Sequence, residues 1–399
     1  MIRHLLQMLM LCVLAGLCPG GPYILIDTDL NESTVELVQV RDSGLLVRDE
    51  SSRRIPMDRF VAILRDAPGD WRAVGGVVQL ADGQRLVSEG APLGRGESIR
   101  VLLRSRAEVI VPLESVGWMR LPGAGDLPAS AAPPETDPFD DTVVLANNDT
   151  LRGFVLGIDG ETLRIEAETG VRSVSLSEIA WVVLSTPQAE RRGPMLWLSD
   201  GSVLSAASLE SESPTELTIT LRGIDPSAAS QEASAAGMLR VQRDEVLALL
   251  PDPGRVVSLA RLEGVSVRPL GDRRWAPAPQ SPDRDGAFGD LASVTLSGPV
   301  EARWPLPNDA TRFGATIETP PEARAWVDSE VVILATRGRG EEAMPLARLK
   351  LSQRSEPQRI SVGLPSGRDR ELIIRIESGR YGPVHSGAVL RRAVLLLGD

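Results

Sequence analysis

Short apolar runs that break into polar turns recur along the first two-thirds of the chain. Val78-Gln79-Leu80-Ala81-Asp82-Gly83, Val143-Val144-Leu145-Ala146-Asn147-Asn148 and Leu196-Trp197-Leu198-Ser199-Asp200-Gly201 share one pattern, and Ile24-Leu25-Ile26-Asp27-Thr28-Asp29 reads as a decayed first copy. Each copy closes on a matching block: Ile55 to Phe60, Val111 to Val116, Val174 to Ile179 and Val241 to Val246. In the third copy, Leu163, Ile165 and Ala167 alternate with Arg164 and Glu166, the period of a half-buried strand. Asp159-Gly160 is a hairpin turn, and Asn147-Asn148-Asp149 tolerates left-handed backbone. Gly153 and Gly157 break the second strand, and Ser177-Glu178 leaves room for one helical turn before the last. The pattern predicts five short strands per copy, a small SH3-like or Sm-like β-barrel.

So small a unit buries little surface alone, so the copies are expected to pair. Their spacing predicts one pair over 21–121 and a second over 142–251, joined by a Pro/Ala/acidic linker over 122–141. The fourth copy carries an Ala/Ser-rich insertion from Asp225 to Gly237, expected as a mobile loop. A β-propeller is the competing array, but the uneven spacing and the proline-rich interruption argue against ring closure.

Beyond Pro251-Asp252-Pro253-Gly254 the texture changes. Alternating segments at Val331–Ala335, Ala347–Leu351, Arg359–Leu364 and Glu371–Ile376 are joined by Gly- and Pro-bearing connections. This predicts an antiparallel sandwich over 255–399. The expected fold class is therefore all-β: four tandem small barrels in two pairs, followed by a jelly-roll β-sandwich.

Charge and cysteine content narrow the function. The 399 residues carry a net charge of −11, which argues against a nucleic-acid partner, since such binding rests on neutralising phosphates. The arginine excess, with Lys350 the only lysine, reads as genomic base composition rather than as a binding surface. Residues 1–20 have a basic start, an apolar run from Leu5 to Leu17 and small residues after it, which predicts an export signal cleaved near Gly20. Leu17 before Cys18 disfavours lipidation. Cleavage would remove both cysteines and His4, leaving His385 as the sole histidine. Disulfides, cysteine-rich zinc sites and histidine-based triads are then excluded.

The C-terminal third resembles the NPCBM/NEW2 family on Leu259-Ala260-Arg261-Leu262-Glu263-Gly264-Val265, Trp275, Pro282-Asp283-Arg284 and Ala292 to Leu296. The likeness continues through Arg312-Phe313-Gly314-Ala315-Thr316-Ile317, Val331-Val332-Ile333, Arg370 to Ile376, Gly382-Pro383-Val384 and Ala393 to Leu396. The resemblance implies a jelly roll related to galactose-binding domains and a carbohydrate ligand. Two polar stretches depart from the family's pattern, at Glu301–Pro307 and Val384–Ala388, so the fold carries over better than the ligand does. The repeats resemble small-barrel repeats of exported planctomycete-type bacterial proteins.

Trp275, Trp304, Trp326 and Tyr381 are candidates for stacking on a sugar ring. Trp304, between Arg303 and Pro305, looks the least core-like of them. With Tyr381, His385 and Arg312 it forms the expected ligand-binding set. Trp118 and Trp181 occupy equivalent places in copies two and three and are expected inside a barrel or between paired ones. Ser281-x-Asp283-x-Asp285-Gly286 has the oxygen spacing of half a calcium loop, with Asp283 and Asp285 as the ligands. Ser281 at its first position and Ala292 at its twelfth favour a plain polar turn. No acidic pair is fixed across a cleft, so no catalytic residues are assigned and no cofactor is expected beyond a structural calcium. The expected function is an exported, non-enzymatic binder of polysaccharide or another envelope component, with no integral membrane span after cleavage. The alternative is an envelope scaffold that makes protein–protein contacts and holds no sugar.

Overall fold

Turn chemistry and period-two alternation run through this chain, and its structure is accordingly all-β. The structure, a computed structural model, describes residues 22–65, 75–103, 108–121, 124–125, 131, 133–134, 139–189, 192–211, 213, 215–223, 238–272, 274–281, 291–338, 340–380, 382 and 386–398. Among these the regular elements are strands and short 3₁₀ turns.

The first four units lie at 23–65, 77–120, 141–183 and 195–250, and each ends on a 3₁₀ turn followed by a closing strand. In the third unit the first strand, Asp141–Leu145, pairs with both the long second strand, Thr150–Gly160, and the closing strand, Ile179–Val183. The second strand serves three partners: its first half pairs with Asp141–Leu145, its second with Thr162–Ala167, and its end also with Leu93–Gly96 of the second unit. Gly153, at φ 153°, makes this bend: a Cβ there would lie 2.0 Å from the Glu166 carbonyl oxygen. The strand that looks broken in sequence is continuous and bent.

Both recurring sequence blocks have one structural cause. After the first strand of units two, three and four an Asp or Asn side chain accepts the backbone N–H two residues on, Asp82 from Gln84, Asn147 from Asp149 and Asp200 from Ser202, while in unit one Asp27, the strand's last residue, accepts from both Asp29 and Asn31. In three units the polar turn then donates to its own 3₁₀ turn, Ala81 to Ser115, Ala146 to Glu178 and Ser199 to Glu245. The two blocks are conspicuous because they touch.

The order of pairing differs from the one expected from spacing. The closing strands Val116–Arg120 and Ile179–Val183 pair antiparallel, joining the second unit to the third. The closing strands Phe60–Arg65 and Val246–Leu250 pair likewise, joining the first to the fourth. Proximity in sequence is overruled because the closing strand is the edge each unit has to cover. Trp118 and Trp181 meet across the first junction with centroids 5.5 Å apart, and Arg120 stands over the Trp181 ring at 6.0 Å. At the second junction the Tyr23 hydroxyl donates to the Val246 carbonyl, and Arg65 lies 4.8 Å over the Tyr23 ring. The Asp225–Gly237 insertion and the 1–20 segment lie outside the described residues, as does much of 122–141.

The C-terminal region is a β-sandwich of two five-stranded sheets. One holds strands Val256–Ser258, Gly387–Leu397, Ala310–Glu318, Gln358–Gly363 and Val294–Ser297; the other runs Ser266–Pro269, Val300–Pro305, Glu371–Ser378, Asp328–Ala335 and Met344–Ser352. Trp304, Phe313, Ile333, Ile374 and Leu395 fill the space between them.

The first sheet's outer face is docked on units one and four. Val256, Leu291, Val394 and Leu396 pack on Ile26, Leu30, Leu64, Trp197 and Ala248. Leu30 is fully buried at φ 60°, in the left-handed position that the other units give to Gly83, Asn148 and Gly201. It fits because position 314 is glycine, where a Cβ would sit 2.8 Å from the Leu30 Cβ. Around it, Glu32 accepts from Arg392 Nε at 2.9 Å and Nη2 at 2.7 Å, and Arg359 Nη1 lies 2.8 Å from the same carboxylate.

Candidate functional site

The second sheet's outer face carries a charged row beside a small buried apolar cluster of Val332, Leu334 and Ile373, with Ala343 packed on it. Along Val300–Pro305 the alternation sends Val300, Ala302 and Trp304 into the core, so Glu301 and Arg303 take the opposite face. In register with Glu301 lie Arg268 on one neighbour and Arg375 on the other. Glu301 is fully buried beneath three guanidiniums. Arg268 Nε lies 2.7 Å from Oε1, Arg303 Nε donates to Oε1 at 2.9 Å, and Arg375 Nη2 donates to Oε2 at 2.8 Å. Arg303 reaches on to Glu371 at 3.0 Å.

Burial alone would raise the Glu301 pKa, but the hydrogen bonds from Arg268, Arg375 and Arg303 pull it down to about 2. Because the folded value lies below the unfolded one, 4.5, the stabilisation is fully present above pH 4.5 and lost as pH falls toward 2. Glu301→Gln is expected to abolish this part of the acid sensitivity and to cost about 3 kcal/mol at neutral pH, since three guanidiniums lose their counter-charge. Urea denaturation at pH 7 and pH 3 checks both; equal pH sensitivity in the two proteins would reject the assignment. A carboxylate so saturated is a poor general base, and its work here is to fix the orientation of three arginines.

At one end of this sheet stand two exposed indoles. Trp275 is 73% exposed and Trp326 is 60% exposed, whereas Trp181, Trp197 and Trp304 are buried. Trp275 follows Ser266–Pro269, and Trp326 precedes Asp328–Ala335. The registers Pro269↔Val300, Val300↔Ile376 and Val331↔Ile376 place the two strand ends from which these connections run at the same end of the sheet. The two strands are three positions apart in the sheet, so their bases are about 14 Å apart. Asp328 receives the Arg380 backbone N–H at 3.0 Å, tying the turn after Ser378 to the one that carries Trp326.

The expected ligand-binding residues fare differently. Trp304 is 1% exposed and packs in the core, so it offers no face to a ligand; its neighbours Arg303 and Pro305 point the other way. Arg312 is spent at the docked face, 3.0 Å from Asp29 and 3.3 Å from Ser361 Oγ. Tyr381, His385, Asp283 and Asp285 lie outside the described residues. Among the described residues no group of three His, Cys, Asp or Glu side chains could hold a metal, and no helix is long and apolar enough to cross a membrane. A cavity of about 220 Å³ where unit one, unit four and the sandwich meet is lined by Met57, Phe60, Asp58, Asp252 and Arg255. Asp252 is already engaged there, accepting the Gly254 N–H.

No family model matches the chain, and no curated protein matches it. Among solved structures it is similar to the CBM51 module of Clostridium perfringens GH95 in complex with methyl-galactose, at 13% identity over 35% of this chain and 99% of that one, with a TM-score of 0.27. It is similar also to the xylan-binding module CBM15, at 12% identity over 36% of this chain and 97% of that one, TM-score 0.26. A third is TmCBM61 in complex with beta-1,4-galactotriose, at 13% identity over 35% and 90%, TM-score 0.23. These structural neighbours are carbohydrate-binding modules.

Proposed function

We propose that this protein is an exported, non-catalytic carbohydrate-binding protein whose ligand contact is the sandwich end bearing Trp275 and Trp326. The observation that carries the reading is the exposure of those two indoles beside an ordered polar sheet face. A large exposed aromatic surface is costly in water and has a use when a sugar ring stacks its C–H face on it. The Arg268–Glu301–Arg375 row supplies fixed hydrogen-bonding groups next to them. The four N-terminal units, read as small SH3-like barrels, then act as a rigid base to which the binding module is fixed, rather than as a flexible stalk.

Trp275→Ala with Trp326→Ala is expected to lower affinity for a bound glycan by about a hundred-fold, at about 1–3 kcal/mol per stacked ring, and to leave the unfolding midpoint unchanged. Glycan-array screening of the full chain followed by calorimetry on the hit measures both. Unaltered affinity in the double variant would move the site elsewhere. The scaffold reading draws its support from a different surface, the exposed Phe154, Leu156 and Val171 of the third unit. Phe154 and Val171 flank Glu166 in one cross-strand row.

A further inference from the structure

Trp326 stands among arginines. Arg324 lies two residues before it, and Arg354 lies in the turn after the neighbouring strand Met344–Ser352. Arg380 follows Glu371–Ser378 on the other side. The registers Asp328↔Ser352 and Ser329↔Ser378 put these three turns on adjacent strands, about 5 Å apart at their bases. Arg324 and Arg354 are exposed, and among the described residues neither guanidinium has a hydrogen-bond or ion-pair partner. Arg380 is 75% exposed, and its Nε lies 3.6 Å from Asp328. Against them stand Asp328, already held by Arg380, the exposed Glu356, Glu377, which lies 3.7 Å from Arg375, and Glu322 in the turn just before Arg324. Trp275 repeats the arrangement, with Arg274 next to it, exposed and likewise without a partner among the described residues.

These guanidiniums stand on a chain whose net charge is −11, so an anion is drawn to them by short-range pairing rather than by the field of the whole protein. A guanidinium without an internal partner keeps its planar fork free for a carboxylate or sulfate, and the indole beside it stacks on the ring that carries the anion. A neutral glycan accepts hydrogen bonds from a guanidinium but gains no charge pairing from it.

We propose that the ligand at the Trp326 end is an acidic polysaccharide, its carboxylate or sulfate groups received by Arg324 and Arg354 while Trp326 stacks on the sugar ring. This rests on the carbohydrate reading above. The test uses the full chain in affinity electrophoresis against two matched pairs: polygalacturonate with its methyl ester, and dextran sulfate with dextran. At about 50 mM salt, retention by one acidic polymer is expected to exceed that by its neutral counterpart about ten-fold, and the gap is expected to close at about 500 mM. The pair that shows the gap identifies carboxylate or sulfate as the recognised group. Arg324→Gln with Arg354→Gln should remove that preference without changing the thermal midpoint, and Trp326→Ala should weaken retention by either member of the pair. Equal or stronger retention by a neutral polymer overturns this proposal and leaves the carbohydrate reading standing. Retention by none of the four overturns both.

Discussion

Glu32→Ala should loosen the sandwich from the repeat units and cost about 3–5 kcal/mol, because it leaves two guanidiniums facing each other with no counter-charge. The carboxylate is 14% exposed, with Arg392 at 9% and Arg359 at 16%. Thr316 Oγ1 donates to it at 3.2 Å, and Arg359 Nε donates to the Leu30 carbonyl at 2.9 Å, so the same cluster holds the turn itself. Burial pushes the Arg359 guanidinium down to about 10, Glu32 opposes that, and the nearby Arg392 adds to it. Burial alone would raise the Glu32 pKa; the Arg392 hydrogen bond, with the charges of Arg359 and Arg392, holds it below its usual value instead. That lowering means the contact is at full strength above the ordinary carboxylate range and weakens as pH falls below it. Denaturation with and without Arg392→Ala gives the coupling between the two residues, expected above 1 kcal/mol. Limited proteolysis of Glu32→Ala should release the sandwich as a fragment. A wild-type denaturation midpoint in Glu32→Ala would show that the apolar contacts of Leu30, Val394 and Leu396 suffice for docking.

The same turn shows how far the sequence could be read. The repeats are visible because the Asx turn and the 3₁₀ turn bond each other, which constrains residue type at both places. The first copy looks decayed for a reason that lies outside it. Leu30 replaces the Gly or Asn of the other units, and the strain of a left-handed leucine is offset by burying its side chain against Gly314. Nothing near residue 30 signals that partner. The order of pairing is only partly visible: Phe60–Arg65, Val116–Arg120, Ile179–Val183 and Val246–Leu250 are alike in their apolar residues, and Trp118 with Trp181 is the one feature that marks a matching pair. Arg312 belongs to the expected ligand set through the family resemblance, but the acid that meets it, Asp29, belongs to a different unit. Trp275 and Trp326 were among the aromatic candidates. Their exposure follows from turns that end one sheet together, a three-dimensional fact that spacing does not encode.

Trp304→Ala is expected to cost about 3–5 kcal/mol while leaving glycan affinity unchanged wherever the variant remains folded. The indole is among the largest fully buried side chains, and it shares the space between the sheets with Phe313, Ile333 and Leu372. In sequence it sits between Arg303 and Pro305, which suggested a surface position. In a strand those neighbours face the other way, so an inward Trp between an Arg and an exposed Pro is compatible with ordinary strand alternation. Alanine would open a cavity that two facing sheets cannot collapse to fill, because their separation is set by the remaining core. Trp304→Phe keeps most of the volume and should cost about 1 kcal/mol. Urea midpoints of the two variants, together with glycan titration below their unfolding temperatures, separate a core role from a stacking role. Full stability with lost affinity in Trp304→Ala would return this residue to the ligand and take the site away from the Trp275–Trp326 end.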